Sequence, residues 1–421
     1  MPLSSLAPSR APSYAAVLRT RHACRTFGAA LLGRLSYGMI SLALMLAVKD
    51  TTGSYSAAGG VMALFGATSV SLSPARAALV DRYGPRRALP PMAGAYAALL
   101  AVLAHLTWHP GASSLLLGVL AASAGACTPP LGPVMRTLWR CLLPQRELLQ
   151  RAFSLDSVAE ELLFLSGPLL VGVVIGFSVP AAGVAISAVL VLVGALALVS
   201  SPAVRAIGTP SSANEAPAAQ DAPRAERLLA VAGVRHAAVV AAGLGLCLGG
   251  MELLVVAFAE QHHHGATAVW VLAALSAGSA VGGLVHGAVS WRTSNRARLP
   301  VPLAGLGVAL VVAGLSPDVS VLVAVVAVAG VFVAPALTTA YLVADESVGE
   351  GVRTRAGAWV NTAVNAGSTV GTALVGVLVE VLSPAVCFAV AAIPALLCSA
   401  AVWRGSGITL LPKRRDVPSS Q

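Results

Sequence analysis

Charge is what this chain has least of: Asp, Glu, Lys and Arg together are 10% of its 421 residues. That is far below the share of a soluble globular domain and excludes one as the reading of the whole chain. Lysine is nearly absent while arginine and alanine abound, the composition of a high-GC bacterial source. The six cysteines (24, 127, 141, 247, 387 and 398) are scattered with no Cys-x-x-Cys, which excludes a disulfide framework or a thiolate metal site. They read as small apolar fillers. No glycine-rich phosphate loop, zinc-ligand spacing or nucleophile–base pattern occurs, so ATP-driven pumping and hydrolytic chemistry find no support. We expect no enzyme, no metal and no cofactor. Adjacent His262, His263 and His264 cannot all face one metal, so they read as an exposed turn.

What the chain has instead is apolar length. It is 57% hydrophobic with a mean hydropathy of +0.82. Stretches of ~20 apolar residues match the bilayer's hydrocarbon thickness. Twelve are present, at roughly 26–48, 56–80, 88–107, 113–135, 152–178, 180–200, 234–258, 266–290, 299–315, 319–343, 356–379 and 383–403. The polar leader carrying Arg10, Arg19, Arg21 and Arg25 lacks a short apolar core with a cleavage site, so the first run is expected to be retained.

The net charge of +10 would suggest nucleic acid in a soluble protein, but its placement argues otherwise. With loops numbered alternately from a cytoplasmic amino terminus, all but Arg34 and Lys49 of the 27 basic residues fall in or beside cytoplasmic segments. The outer loops hold Asp50, Glu260, Asp318 and Glu380. This is the positive-inside pattern, with both termini in the cytoplasm. The partner it implies is the lipid bilayer, not nucleic acid. Residues 201–230 are rich in Ser, Ala, Pro, Asn and Gln and read as a flexible linker. The organisation is therefore a tail over 1–25, a six-helix half over 26–200, the linker 201–230, a second half over 231–403 and a tail over 404–421.

Charges inside the apolar runs mark the candidate site. Arg151–Phe177 carries Asp156, Glu160 and Glu161 in its first half, where a charge at mid-bilayer costs about 2.5–3.5 kcal/mol unless a partner or wet cavity receives it. Asp156 and Glu160 share one helical stripe; Ser157 and Glu161 share the next. The segment returns 204 residues later as Arg355–Leu378, identical at eight of 24 positions including Gly167/Gly371. Asn361 then stands opposite Ser157, and Asn365 opposite Glu161. We read a duplicated half, with carboxylates in one copy and amides in the other. Arg34, about nine residues into the first run, cannot snorkel out and needs a carboxylate such as Glu160 or Glu161. Glu252 in the seventh run is a further protonatable candidate, expected in the cavity wall. Pro129, Pro130 and Pro133 in run four, with Pro335 in run ten, predict kinks at matching places in the two halves, where transporter sites lie.

The most specific local pattern ends the second run: Ala77-x3-Asp81-Arg82-x-Gly84-x-Arg86-Arg87. It resembles the loop signature of the major facilitator superfamily, with Ala77 in place of its first glycine. The resemblance covers about residues 26–403 and implies an all-α polytopic membrane protein of twelve transmembrane helices in two pseudo-symmetric halves. It also implies a cytoplasmic latch in which Asp81 faces the start of helix eleven near Arg353, while Arg86 and Arg87 reach Asp345, Glu346 or Glu350. The opposite loop, Trp291-Arg292 with Arg296 to Arg298, lacks the Asp, so the latch is expected to be one-sided. Gly167-Pro168-x-x-x-Gly172 partly resembles the antiporter signature of the same superfamily. The family's proton-coupled members often carry an arginine within helix four; Leu120–Gly125 has none, and Arg34 is the expected substitute. On this reading a monomer exports a drug-like or amphipathic compound in exchange for protons across a bacterial inner membrane. Importers or uniporters of a nutrient are the alternative, and a non-transporting receptor a third.

Overall fold

The computed structural model of the protein describes residues 13–206, 225–261, 268–379 and 381–405. The three histidines and Glu380 lie outside the described residues, as do most of the linker and both chain ends. Among the described residues there are helices and no strand. Numbered by span, helix one is Ala23–Thr52, helix two Tyr55–Ser71 with Ser73–Tyr83, helix three Pro85–Leu106, and helix four Ser114–Cys127 with Leu131–Leu142. Helices five and six are Arg146–Phe177 and Pro180–Val199. Helices seven to nine are Ala232–Gln261, Ala268–Ala288 and Asn295–Gly314. Helix ten is Val319–Gly330 with Val333–Glu346, helix eleven Arg353–Leu378 and helix twelve Pro384–Gly405. Short helices Tyr14–Arg19, Pro202–Ala206 and Ala225–Ala230 give structure to parts of the expected tail and linker.

Ten of the helices are long and apolar enough to cross a bilayer, or eleven with the two parts of helix two taken as one span bent by 42°. Helix eleven is the exception. Its 26 residues suffice in length at 1.5 Å of rise each, but Asn361, Asn365, Ser368, Thr369 and Thr372 give it a polar face. Its Asn361, Thr362 and Asn365 line a central cavity, where Thr362 meets the other half, while Thr372 bonds the Gly249 carbonyl of helix seven.

The contacts repeat with the period of the duplication. Helix one packs on five and six as helix seven packs on eleven and twelve; helix three packs on six as nine packs on twelve. The paired glycines explain the register. Gly167 of helix five lies against the backbone of Gly38 in helix one, and Gly371 of helix eleven against Leu246 in helix seven, each with no room for a Cβ. Small residues let membrane helices approach this closely. Gly172, by contrast, is exposed with open space beside it, and Pro168 is exposed too, so the antiporter-like triad is not one packing unit.

Helices four and ten break at the expected prolines, although Pro133 stays within a helical segment, and helix two bends at one that was not expected. Pro129 and Pro130 separate the two parts of helix four, Pro74 follows the bend in helix two, and helix ten breaks just before Pro335. A proline has no N–H to give to the carbonyl four residues earlier. The carbonyls of Val70, Gly125 and Ala126 therefore lose their usual donors, and side chains bonded to them are described below.

Candidate functional site

The halves meet at one end of the bundle, the end that carries the arginine-rich loops. Helix two packs there on helix eleven and helix five on helix eight, a pair of contacts related by the duplication. Helix eleven has no capping side chain of its own. Asp81 of helix two supplies the cap: its carboxylate accepts from the amides of Thr354 at 3.2 Å and Arg355 at 2.9 Å. A carboxylate at a helix amino terminus satisfies orphan amides and the helix dipole together. Gly84, at φ +78°, turns the chain directly after it.

Arg86 and Arg87 do not reach across. Both are exposed in the first turn of helix three, as is Arg82, which stacks on Tyr83. The acids expected as their partners are taken by nearer arginines: Asp345 by Arg140 at 3.0 Å and Arg353 at 3.6 Å, Glu346 by Arg146 at 3.8 Å, and Glu350 by Arg353 at 3.4 Å. Nor is the closure one-sided. At the end of helix eight, Gln150 of helix five donates to the carbonyls of His286 at 2.8 Å and Val289 at 3.1 Å, and Arg151 to that of Ala288 at 2.8 Å. One side caps a helix start with an acid, the other a helix end with an arginine and an amide.

Beyond this closed end lies a cavity of about 370 Å³ between the halves. Arg34, Glu160, Glu161, Asn361 and Asn365 all line it, as the repeat predicts. Glu252 does not. Helix seven faces the cavity with Leu244 and Leu248, and Glu252, a turn farther along, is exposed.

Arg34 is paired, but with Asp156 at 2.7 Å and Glu160 at 2.9 Å rather than with Glu161. A second arginine joins them: Arg136 of helix four is ion-paired with Asp156 at 2.9 Å and donates to Glu160 through a short contact. Two cations and two anions thus form a neutral, buried square across helices one, four and five. Its outer side is sealed by the other half, where the Tyr341 ring lies 3.5 Å from the Arg136 guanidinium, a stacked cation–π contact. Arg136, which from sequence alone counts only as a charge near the inner end, lies below the break in helix four, where it shares the acids of Arg34. Asp156 was legible from its i, i+4 stripe with Glu160.

Glu161, rotated one residue away from that stripe, points to helix eight. Its Oε1 accepts from Ser279 Oγ at 2.6 Å, and its Oε2 is buried with no hydrogen bond. Among the described residues it has no ion-pair partner. Asn365 donates to its own helix at Asn361 O, 2.7 Å, and the Asn361 side chain accepts from Tyr341 at 3.4 Å.

The polar contacts that join the two halves, among the described residues, run from this level to the basic end. Ser279 with Glu161 and Thr362 with the Val70 carbonyl, 3.3 Å, are at the cavity, and the others lie toward Asp81. A helical bundle in two related halves, closed at one end over a central cavity that holds charges, is the architecture of a membrane carrier.

The family model of the Major Facilitator Superfamily matches residues 26–315 and 266–420, and the chain belongs to that superfamily of transporters. Solved structures share the fold. A human organic anion transporter, MFSD10, superposes with a TM-score of 0.70 at 15% identity, over 93% of this chain and 100% of that one. A bacterial homologue of the iron transporter ferroportin, in an outward-facing state, gives 0.71 at 14% identity over 92% and 100%. No curated protein sequence matches this chain.

Proposed function

We propose that the protein is a secondary active transporter that exports a small amphipathic compound in exchange for protons by alternating access. The observation that carries the reading is Glu161: a carboxylate at the cavity wall that, among the described residues, is held to the opposite half by Ser279 alone and pairs with no arginine. Such a group takes up a proton without breaking an ion pair, and doing so alters a contact between the halves. Glu160 and Arg34, locked in the charge square, hold the wall in place. Asn361 and Asn365 offer hydrogen bonds to cargo.

The positive-inside rule favours the basic end as the cytoplasmic one; on this reading both termini lie in the cytoplasm, the membrane is a bacterial inner one, and the closed end is the inner end. The halves 26–200 and 231–403 rock as units, joined by the linker 201–230, and the protein works as a monomer. Asp81 and the Gln150–Arg151 contacts then hold the outward-open state, and breaking them admits cargo from inside. Export is favoured over import by the partial antiporter pattern at Gly167 and Pro168.

The test is transport in proteoliposomes with a pH jump across the membrane. Glu161→Gln keeps the bond to Ser279 but carries no titratable proton. We expect pH-driven transport to fall at least tenfold, the scale on which a group essential to one step acts (~1.4 kcal/mol or more), while cargo binding is retained. Unchanged pH-driven transport in Glu161→Gln would remove the proposed coupling.

A further inference from the structure

The cavity holds one charge that the mechanism above does not use. Arg76 of helix two, 7% exposed, reaches the cavity wall and forms no ion pair among the described residues. Its guanidinium is held entirely by backbone: Nη1 donates to the carbonyls of Gly125 at 3.0 Å and Ala126 at 3.3 Å, and Nη2 to that of Ser69 at 2.6 Å. The first two are the carbonyls that Pro129 and Pro130 leave without a helical donor. Nε is buried with no partner at all. A guanidinium has five N–H groups, so donors remain after the carbonyls are served.

The two freed carbonyls and that of Ser69 need donors, not a positive charge; a buried amide or hydroxyl would serve them. The charge is costly where it stands, since an unpaired buried cation is a much less favourable arrangement than a paired one. The same bundle shows the alternative. Arg34 and Arg136, both buried, each have two carboxylates. Arg76 has none, and it faces the cavity. An unmatched ionisable group inside a membrane bundle marks a ligand path.

The surroundings fit an anion on an apolar body. In the same wall the Tyr96 hydroxyl, with Ser36 beside it, is buried without a hydrogen bond of good geometry. Met62 and Phe65 add apolar surface. The volume is within the ~300–1,000 Å³ range of small-molecule pockets. Building on the transport reading of this cavity, we propose that Arg76 binds an anionic group of the cargo, so that the substrates are small organic anions: a carboxylate or a phosphate ester on an apolar body. Arg76 Nε and the spare Nη2 donor form the recognition edge, the fork geometry that suits both groups.

The experiment compares matched probes that share one body. The naphthalene set is 1-naphthoate, 1-naphthamide, 1-naphthylmethylamine and 1-naphthyl phosphate; a second set is 4-phenylbutyrate with its amide and amine. Binding is read on the full chain in nanodiscs, with empty nanodiscs as control. We expect an anion to bind at least tenfold more tightly than its amide, with the amine weakest. Naphthoate against naphthyl phosphate decides between carboxylate and phosphate. Arg76→Gln should abolish the preference and leave amide affinity within twofold, whereas Arg76→Lys should keep a reduced preference. Amide or amine binding as well as the anion overturns the proposal, as does an anion preference that survives Arg76→Gln, or no anion binding in either set. If Arg76→Gln does not give a monodisperse protein, the ranking in the unsubstituted chain decides. Proton-driven transport of an amide or amine leaves the transport reading standing without this one. Arg76-dependent anion binding with no transport of any probe does the reverse.

Discussion

Asp81 and Arg355 sit on opposite halves of the molecule, and the carboxylate of the first accepts the backbone amide of the second at 2.9 Å. The contact needs only the start of helix eleven, not the arginine side chain, so it depends on the position of a whole helix. It is thus a sensor of whether the halves are closed at this end. Replacing Asp81 with Ala removes a helix cap worth about 1 kcal/mol, which shifts the closed-to-open ratio roughly fivefold toward opening. Asp81→Asn, itself a competent cap, should shift it less. The measurement is labelling of a single cysteine placed at the closed end, together with turnover: both variants should insert normally, with Ala labelled faster than Asn. Equal labelling of Ala and the unsubstituted protein would show that the cap does not hold the closure.

The square of Arg34, Arg136, Asp156 and Glu160 calls for a different test, because it is neutral as a whole. Removing one member leaves an uncompensated buried charge, which costs about 3–5 kcal/mol. Asp156→Asn alone should therefore lower the thermal midpoint strongly. Asp156→Asn combined with Arg136→Gln restores neutrality and should be more stable than the sum of the single losses, a coupling that a double-mutant cycle measures. Additive losses would mean that the four groups are not coupled.

Much of this was legible in the chain. Apolar runs of bilayer length gave the twelve spans, and the 204-residue offset paired Gly167 with Gly371, though not the backbones that each of them meets. Asp81 was placed against helix eleven by its loop pattern. What could not be read was rotation. Glu160 and Glu161 are neighbours in sequence, yet one turns to Arg34 and the other to Ser279, and only the packing of helices four and eight decides which. Arg76 and Arg136 counted as loop charges because they lie within a few turns of basic loops. The carbonyls freed at the break in helix four draw Arg76 inward, and the acids of helix five draw Arg136. Arg86 and Arg87 failed for the opposite reason: closer arginines on helices four, five and eleven had already satisfied the acids.

The duplicated glycines make the last prediction. At Gly167 a Cβ would overlap the Gly38 backbone, and at Gly371 the Leu246 backbone, so neither helix can yield by a rotamer change. Gly167→Ala and Gly371→Ala should each destabilise by about 1–3 kcal/mol, the range for overpacked interiors. Gly172, one turn and a residue beyond Gly167, has open space. There Gly172→Ala gains helix propensity worth up to ~1 kcal/mol and meets nothing. Thermal midpoints in nanodiscs should fall for the first two and hold or rise for the third. If Gly172→Ala were instead the damaging change, the helix five–helix one contact would lie elsewhere and the register derived from the duplication would be wrong.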